Sequence, residues 1–233
     1  MTDGSRRKSR TGVSTGYRVL DKFIGGFSSG QLVVIASRPS DGKSALAASL
    51  AENMASGESQ VPIGFIPLEA GGLSLMKRMI SCKASIRESP ALSLHELCRE
   101  IREMAEAGGV KAVFIDGVGL IRNAEHSMSV SLRLAGIFKV LKLHARELGI
   151  SIICLCRLNG IDSADRGPAI GDFGNSDIVL LIDNPSMRLG IKEDDTGMSD
   201  IRKVIVAKNN NGNTGGFLMR LNPESGRFEE VGA

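Results

Sequence analysis

Apolar residues fall along this chain in two rhythms. Short apolar runs bounded by glycine, proline or small polar residues predict buried strands at 31–37, 61–66, 110–115, 151–156 and 177–182. Between them the spacing changes to 3.6. Residues 43–56 predict a helix that Gly57 can end, and 73–82 is amphipathic. Ser93 and Glu96 form a capping box, and Leu94, Leu97, Cys98, Ile101, Met104 and Ala105 follow it at helical spacing. A long helix comes after the third strand, with Val130, Leu134, Ile137, Phe138, Leu141 and Leu148 on one face and Arg133, Lys139 and Lys142 off it. Beyond the charged loop 192–195 the pattern becomes paired strands at 202–208, 216–221 and 228–231. Alternating strands and helices predict an α/β fold with a mostly parallel central sheet flanked by helices. Its C-terminal end is rich in β-hairpins.

Length and composition narrow the class. A chain of 233 residues, 42% apolar and 24% charged, reads as one globular domain rather than a disordered or fibrous chain. No apolar run approaches the ~18 residues of a membrane span, and the first ten residues show no secretory signal. Cys82, Cys98, Cys154 and Cys156 lack CxxC spacing and sit in apolar patterns, which predicts buried free thiols in a reducing cytoplasm. The three histidines form no metal or triad spacing. The net charge of +3 resides in residues 1–10 (Arg6, Arg7, Lys8 and Arg10 against Asp3), so the body is neutral. One tyrosine and no tryptophan argue against stacking platforms for bases. Residues 1–14 are expected to be a basic flexible tail, and 15–233 the domain.

The candidate chemistry lies where strands end. Ser37-Arg38-Pro39-Ser40-Asp41-Gly42-Lys43-Ser44 joins a buried strand to a helix, the context of a phosphate-binding loop. Backbone N–H groups there cradle phosphate oxygens, Lys43 reaches the β- and γ-phosphates, and the Ser44 hydroxyl holds Mg²⁺. The strict pattern has glycine where this chain has Ser37. Asp116 ends an apolar strand and could bind Mg²⁺ through water. Glu69, after another strand, could polarise an attacking water. Taken singly, Asp116 reads equally as a turn residue and Glu69 as a helix-opening acid favoured by the helix dipole. Their meeting at the carboxyl edge of one sheet is where open α/β folds bind ligands.

The Arg38-Pro39-Ser40-x-Gly42-Lys43-Ser44 wording resembles the C-terminal, RecA-like motor domain of bacterial and phage replicative DNA helicases of the DnaB type. The similarity runs from about Thr11 to Glu229. It includes Thr15-Gly16-Tyr17 with Leu20-Asp21, Leu68-Glu69 with Arg78, Phe114-Ile115-Asp116 and Leu158-Asn159. It continues through Val206-Ala207-Lys208 and Asn211-Gly212-x-Thr214-Gly215 to Arg227-Phe228-Glu229. The resemblance implies a cytoplasmic P-loop ATPase that forms a ring, binds Mg-ATP between subunits and pulls single-stranded DNA through the centre. It implies DNA contacts at Arg122 and Arg166, in the loops after Asp116 and Asn159. A full-length helicase, a primase or a loader are the other partners it suggests.

The chain also departs from that family. It begins almost at the motor, without the regulatory domain and linker helix. A segment the family uses for a helix has no counterpart between Met79 and Ile86, and a shorter one none around 173–177. The family's glutamine near Asp116 is Gly119, and the one ending the next strand is Arg157, a candidate catalytic group in cis. The arginine that reaches the neighbour's ATP falls on Asn210, leaving Lys208 as a point charge. Two other functions stay open: a catalytically impaired nucleotide-binding assembly partner, and a RecA-like repair or recombination ATPase. The Arg38-Pro39-Ser40 wording weighs against the second of these.

Overall fold

The computed structural model describes residues 12–57, 60–69, 84–87, 92–122, 129–158, 173–186 and 200–231. Its elements are α1 (Arg18–Ile24), β1 (Leu32–Ser37), α2 (Lys43–Ser56), β2 (Ile63–Pro67), β3 (Ala84–Ile86), α3 (Leu94–Glu106) and β4 (Ala112–Asp116). A 3-10 turn (Val118–Leu120) leads to α4 (Val130–Leu148), β5 (Ser151–Arg157), β6 (Ile178–Asp183), β7 (Ile201–Asn209), β8 (Gly215–Leu221) and β9 (Phe228–Glu230). The nine strands form one sheet in the order β3-β2-β4-β5-β1-β6-β7-β8-β9. The first six in that order run parallel, and β7, β8 and β9 are added antiparallel.

Period-two alternation sorts the strand side chains onto two apolar layers. On β1, Val33 and Ile35 join α1 and α2 on one face, with Phe65, Phe114 and Phe228. Leu32, Val34 and Ala36 join α3 and α4 on the other, with Ile115, Cys154 and Phe173. Strands covered on both sides must be apolar throughout, and β1, β2 and β4 are buried at every position. Helix α2 leaves β1 toward one face while α4 follows β4 onto the other. The carboxyl ends of β1, β5 and β4 therefore open into a crevice.

The capping box at Ser93 forms as expected, with Ser93 Oγ accepting from the Glu96 N–H and Glu96 Oε2 from the Ser93 N–H. Cys98, Cys154 and Cys156 are buried free thiols, and burial pushes Cys98 up to about 11. Several expectations need correction. Val130 stands exposed at the first turn of α4. Lys142, expected off the apolar face, is nearly buried, because its ammonium pairs with Asp177 and donates to the Gly30 carbonyl. Arg133 is half-buried. The boundary at residue 15 falls inside ordered structure, since Val13 pairs with Phe27 and Ser14 Oγ donates to Asp21 at 2.6 Å. Residues 1–11, the amphipathic segment 73–82 and Cys82 lie outside the described residues. No helix among the described residues is long and apolar enough to cross a membrane.

Candidate phosphate-binding site

The loop between β1 and α2 needs backbone that few residues adopt. Gly42, the N-cap of α2, has φ 100°, and Ser40 has φ 68°. A left-handed residue at the mouth of a helix turns successive N–H groups into one concavity, which attracts anions. Space is also tight at 42. A Cβ there would stand 3.1 Å from Phe228 Cζ and 3.3 Å from Leu221 Cδ2.

The expected side chains converge at the head of this loop. Lys43 Nζ donates to Asp116 Oδ1 at 2.6 Å and Ser44 Oγ to Asp116 Oδ2 at 2.7 Å. Asp116 is buried, so both carboxylate oxygens find their donors inside the protein. Glu69 Oε2 stands 4.0 Å from Lys43 Nζ, with its side chain 47% exposed. Arg157, the exposed last residue of β5, lies in register with Ser37. A cavity of about 400 Å³ opens here, lined by residues 37–40 and 42–45 together with Glu69 and Arg157. Arg38, Pro39, Ser40 and Gly42 are thus part of its wall.

Asp41 points the other way. It is buried, and burial raises its carboxyl above the usual range, with Asp183 adding to the shift and Arg202 opposing it. Arg202, on β7, is itself buried, and its Nε donates to the Asp41 carbonyl at 3.2 Å. Burial pulls the Arg202 guanidinium below its ordinary value. Behind the loop, the Tyr17 hydroxyl donates to the Phe228 carbonyl at 2.9 Å, and the Phe228 N–H to Ser49 Oγ at 3.1 Å. Sequence reasoning missed this backing. Arg202 lies 161 residues from Asp41, and no local signal joins them.

Two expected residues lie elsewhere. Lys208 is level with Val179 and hence with Val34 of β1. That is three strand residues, about 10 Å, from Ser37. Its ammonium donates to the Gly174 and Ser176 carbonyls at 2.8 and 2.7 Å. Lys208 therefore stands away from its own chain's loop, because β7 runs antiparallel and carries it toward the amino ends of the parallel strands. Asn210 follows at that same edge. Arg122 is exposed at the end of the segment after β4, its N–H bonded to the Leu92 carbonyl. Arg166, Arg78 and Asn159 lie outside the described residues.

The donor set suits a hard cation completed by phosphate and water. Ser44 and Asp116 offer oxygens 2.7 Å apart, and no group of three metal-ligating side chains stands among the described residues. Magnesium is usually held in this way, by one or two protein oxygens rather than a full cage.

The profile of the DnaB-like helicase C terminal domain matches residues 12–89 and 82–230. Its two matched stretches meet where the segment near Met79–Ile86 was expected to be missing. The replicative DNA helicase DnaB of Leifsonia xyli is 29% identical over 264 aligned residues, covering 96% of this chain and 57% of that protein. Those 264 positions exceed the whole length of this chain, so gaps lie within it. The replicative DNA helicase DnaC of Bacillus subtilis is 25% identical, covering 96% and 58%, and a probable plasmid replicative DNA helicase of Chlamydia psittaci 28%, covering 93% and 55%. The chain thus spans little more than half the length of these relatives. Among solved structures, one isolated ATPase domain has a TM-score of 0.79 at 24% identity, covering 97% of this chain and 94% of that one. A DnaB-like replicative helicase described with its primase interactions has the same TM-score at 23% identity, covering 97% and 64%. Both likenesses establish the RecA-type ATPase fold. With the family profile matched across nearly its full length, this chain belongs to the DnaB-like helicase C-terminal domain family.

Proposed function

We propose that this chain is the ATP-hydrolysing motor domain of a replicative DNA helicase, acting on single-stranded DNA in a homo-oligomeric ring. The observation that carries this reading is the convergence of Lys43 and Ser44 on buried Asp116 at the head of the phosphate loop. Without nucleotide, Lys43 is neutralised by Asp116. A triphosphate gives the ammonium a second, more highly charged acceptor, and the loop's N–H groups hold the same phosphates. A magnesium ion would be held by Ser44 and, through water, Asp116, and would supply neutralising charge to the transferring phosphoryl group.

Glu69 faces the cavity and accepts a hydrogen bond from a water aimed at the γ-phosphorus. The water oxygen forms the new P–O bond. The bond from the γ-phosphorus to the bridging oxygen breaks, its electron pair leaving with ADP, and the water's proton passes by way of Glu69 to solvent. Arg157 has no hydrogen-bond or ion-pair partner for its guanidinium among the described residues. It lines the same cavity and supplies positive charge to the transferring group in cis, where arginine is worth on the order of 10³–10⁵ in rate.

DNA binding rests on Arg122, Arg166 and the basic segment 1–10 around a neutral body. Affinity for single strands should therefore be modest and fall by about 0.7 log per contacted phosphate for each tenfold rise in salt. Ring contacts in this reading lie partly at the nucleotide, so Mg-ATP favours the oligomer. A full-length helicase and a primase are further partners under the same reading. The deciding experiment is steady-state ATPase with and without single-stranded DNA, in the wild type and in Lys43→Ala. Turnover that depends on Lys43 and rises with DNA supports the motor.

A second reading, an assembly partner that binds nucleotide without productive turnover, has one observation in its favour. Asn210 is uncharged, and Lys208 is spent on two carbonyls of its own chain. Nucleotide-dependent ring formation with no turnover would favour it.

A further inference from the structure

A second cavity, of about 240 Å³, shares Lys43, Glu69 and Arg157 with the phosphate-loop cavity. It extends away from the loop, between the 3-10 turn after β4 and the first turns of α4. Gly117, Gly119, Leu120, Val130 and Leu134 give it small and apolar walls. Arg133 and Arg157 give it charge. Neither guanidinium has a carboxylate partner among the described residues. Among the described residues, Arg133 Nη2 makes only a long contact of 3.4 Å to the Gly119 carbonyl, and its Nε is buried with no acceptor. A buried charged donor left without an acceptor costs stability. Arg133 is such a donor, and the exposed Arg157 guanidinium beside it in the same cavity adds a second positive charge, so the two mark a place that an anion completes.

Its size and its carboxylate limit what that anion can be. A volume of about 240 Å³ is room enough for one tetrahedral oxyanion and several waters. Glu69 on the rim repels a fully ionised anion. It accepts a hydrogen bond from one that still carries a proton, as monohydrogen phosphate does and a DNA phosphodiester does not.

We infer that Arg133 and Arg157 form a holding site for inorganic phosphate, the product of the hydrolysis proposed above, on its way out from the γ-position. This rests on the ATPase reading. Arg157 touches both cavities and passes the phosphate on; Arg133 touches only the second and receives it.

The test is equilibrium dialysis of labelled inorganic phosphate against the full chain loaded with Mg-ADP. Wild type should bind phosphate saturably. Arg133→Gln should weaken that binding about tenfold or more, the loss expected for a hydrogen bond to a charged group. Arg133→Lys should recover most of it, and Mg-ADP affinity should be the same in all three. Arg133 makes one weak contact among the described residues and carries an unsatisfied buried donor, so neither variant should melt below the wild type. Wild type that takes up Mg-ADP but no phosphate overturns the inference and leaves the ATPase reading standing. So does phosphate binding that ignores Arg133→Gln. If Arg133→Gln instead weakens only the binding of a single-stranded oligonucleotide, the anion is a DNA phosphodiester and the inference fails. Wild type that takes up no Mg-ADP sinks the ATPase reading, and the inference with it.

Discussion

Arg202 Nε donates to the Asp41 carbonyl at 3.2 Å, so a strand from the antiparallel end of the sheet holds the backbone of the phosphate loop. The Asp41 side chain at that junction is buried and its carboxyl raised, first by burial and then by Asp183. A carboxyl raised in the folded state binds its proton more tightly there than in the unfolded chain. Stability therefore falls as pH rises from the ordinary carboxylate value of 3.8 through the raised one. Asp41→Asn should raise the melting temperature of the nucleotide-free protein at pH 7, and the gain should vanish as pH falls toward 4. Melts of both proteins across that range check it; a gain that is constant with pH contradicts the linkage.

Removing Lys43 should do two separable things. It takes a charge-assisted contact from the phosphates, worth about 1.5–3 kcal/mol of nucleotide affinity. It also leaves the Asp116 carboxyl buried with Ser44 as its remaining side-chain donor among the described residues. Breaking one side of a buried pair costs about 3–5 kcal/mol. Lys43→Ala should therefore lower both ATP affinity and apo stability. Adding Asp116→Asn should restore the stability and not the affinity. Denaturant melts and calorimetry on the two variants separate the effects.

Gly42→Ala meets both a conformational and a steric barrier. The backbone at φ 100° costs a side-chain residue about 1–3 kcal/mol, and the new methyl presses on Phe228 and Leu221. Phe228→Leu in the same chain should relieve part of the crowding but none of the backbone cost. Chemical denaturation of the single and double variants should show a partial recovery. Full recovery would mean that φ at this position carries little strain.

Arg157 in cis and an arginine introduced at position 210 are competing sources of positive charge. If Arg157 acts in cis, Arg157→Gln should lower ATP turnover by on the order of 10³-fold or more, and Asn210→Arg should add little. If the chain turns over only with help from a neighbour, Asn210→Arg should raise turnover in proportion to the associated fraction. Measuring rate against protein concentration tells the two apart. Brisk, DNA-stimulated turnover in Arg157→Gln contradicts the cis assignment.

The parts legible in the sequence were those whose cause is local. Residues 43–56 carry a glycine turn before them and Gly57 after, and α2 occupies that span. Ser93 and Glu96 are three residues apart and cap α3. The Lys43, Ser44 and Asp116 cluster was legible because each residue sits at the end of a strand or the start of a helix, positions that an α/β sheet gathers on one edge. Helix α1 was missed for the opposite reason. Its free Val19 N–H is satisfied by Glu230 Oε1 at 2.7 Å, from a strand 211 residues away. The three-residue β3 exists only as a partner of β2. Lys208 was placed by motif alone, and only strand polarity reveals which edge of the sheet it reaches.

That polarity has a use of its own. Strand β7 begins beside Asp41 and finishes beside the amino ends of the parallel strands; nine extended residues carry it about 30 Å. Had it run parallel, the turn that follows it would stand at the same edge of the sheet as the phosphate loop. Run in reverse, it sets Arg202 at one end and the exposed turn at 210–214 at the other. The phosphate loop and that outlying turn are thus tied to the two ends of one nine-residue strand, so a single substitution within β7 bears on both.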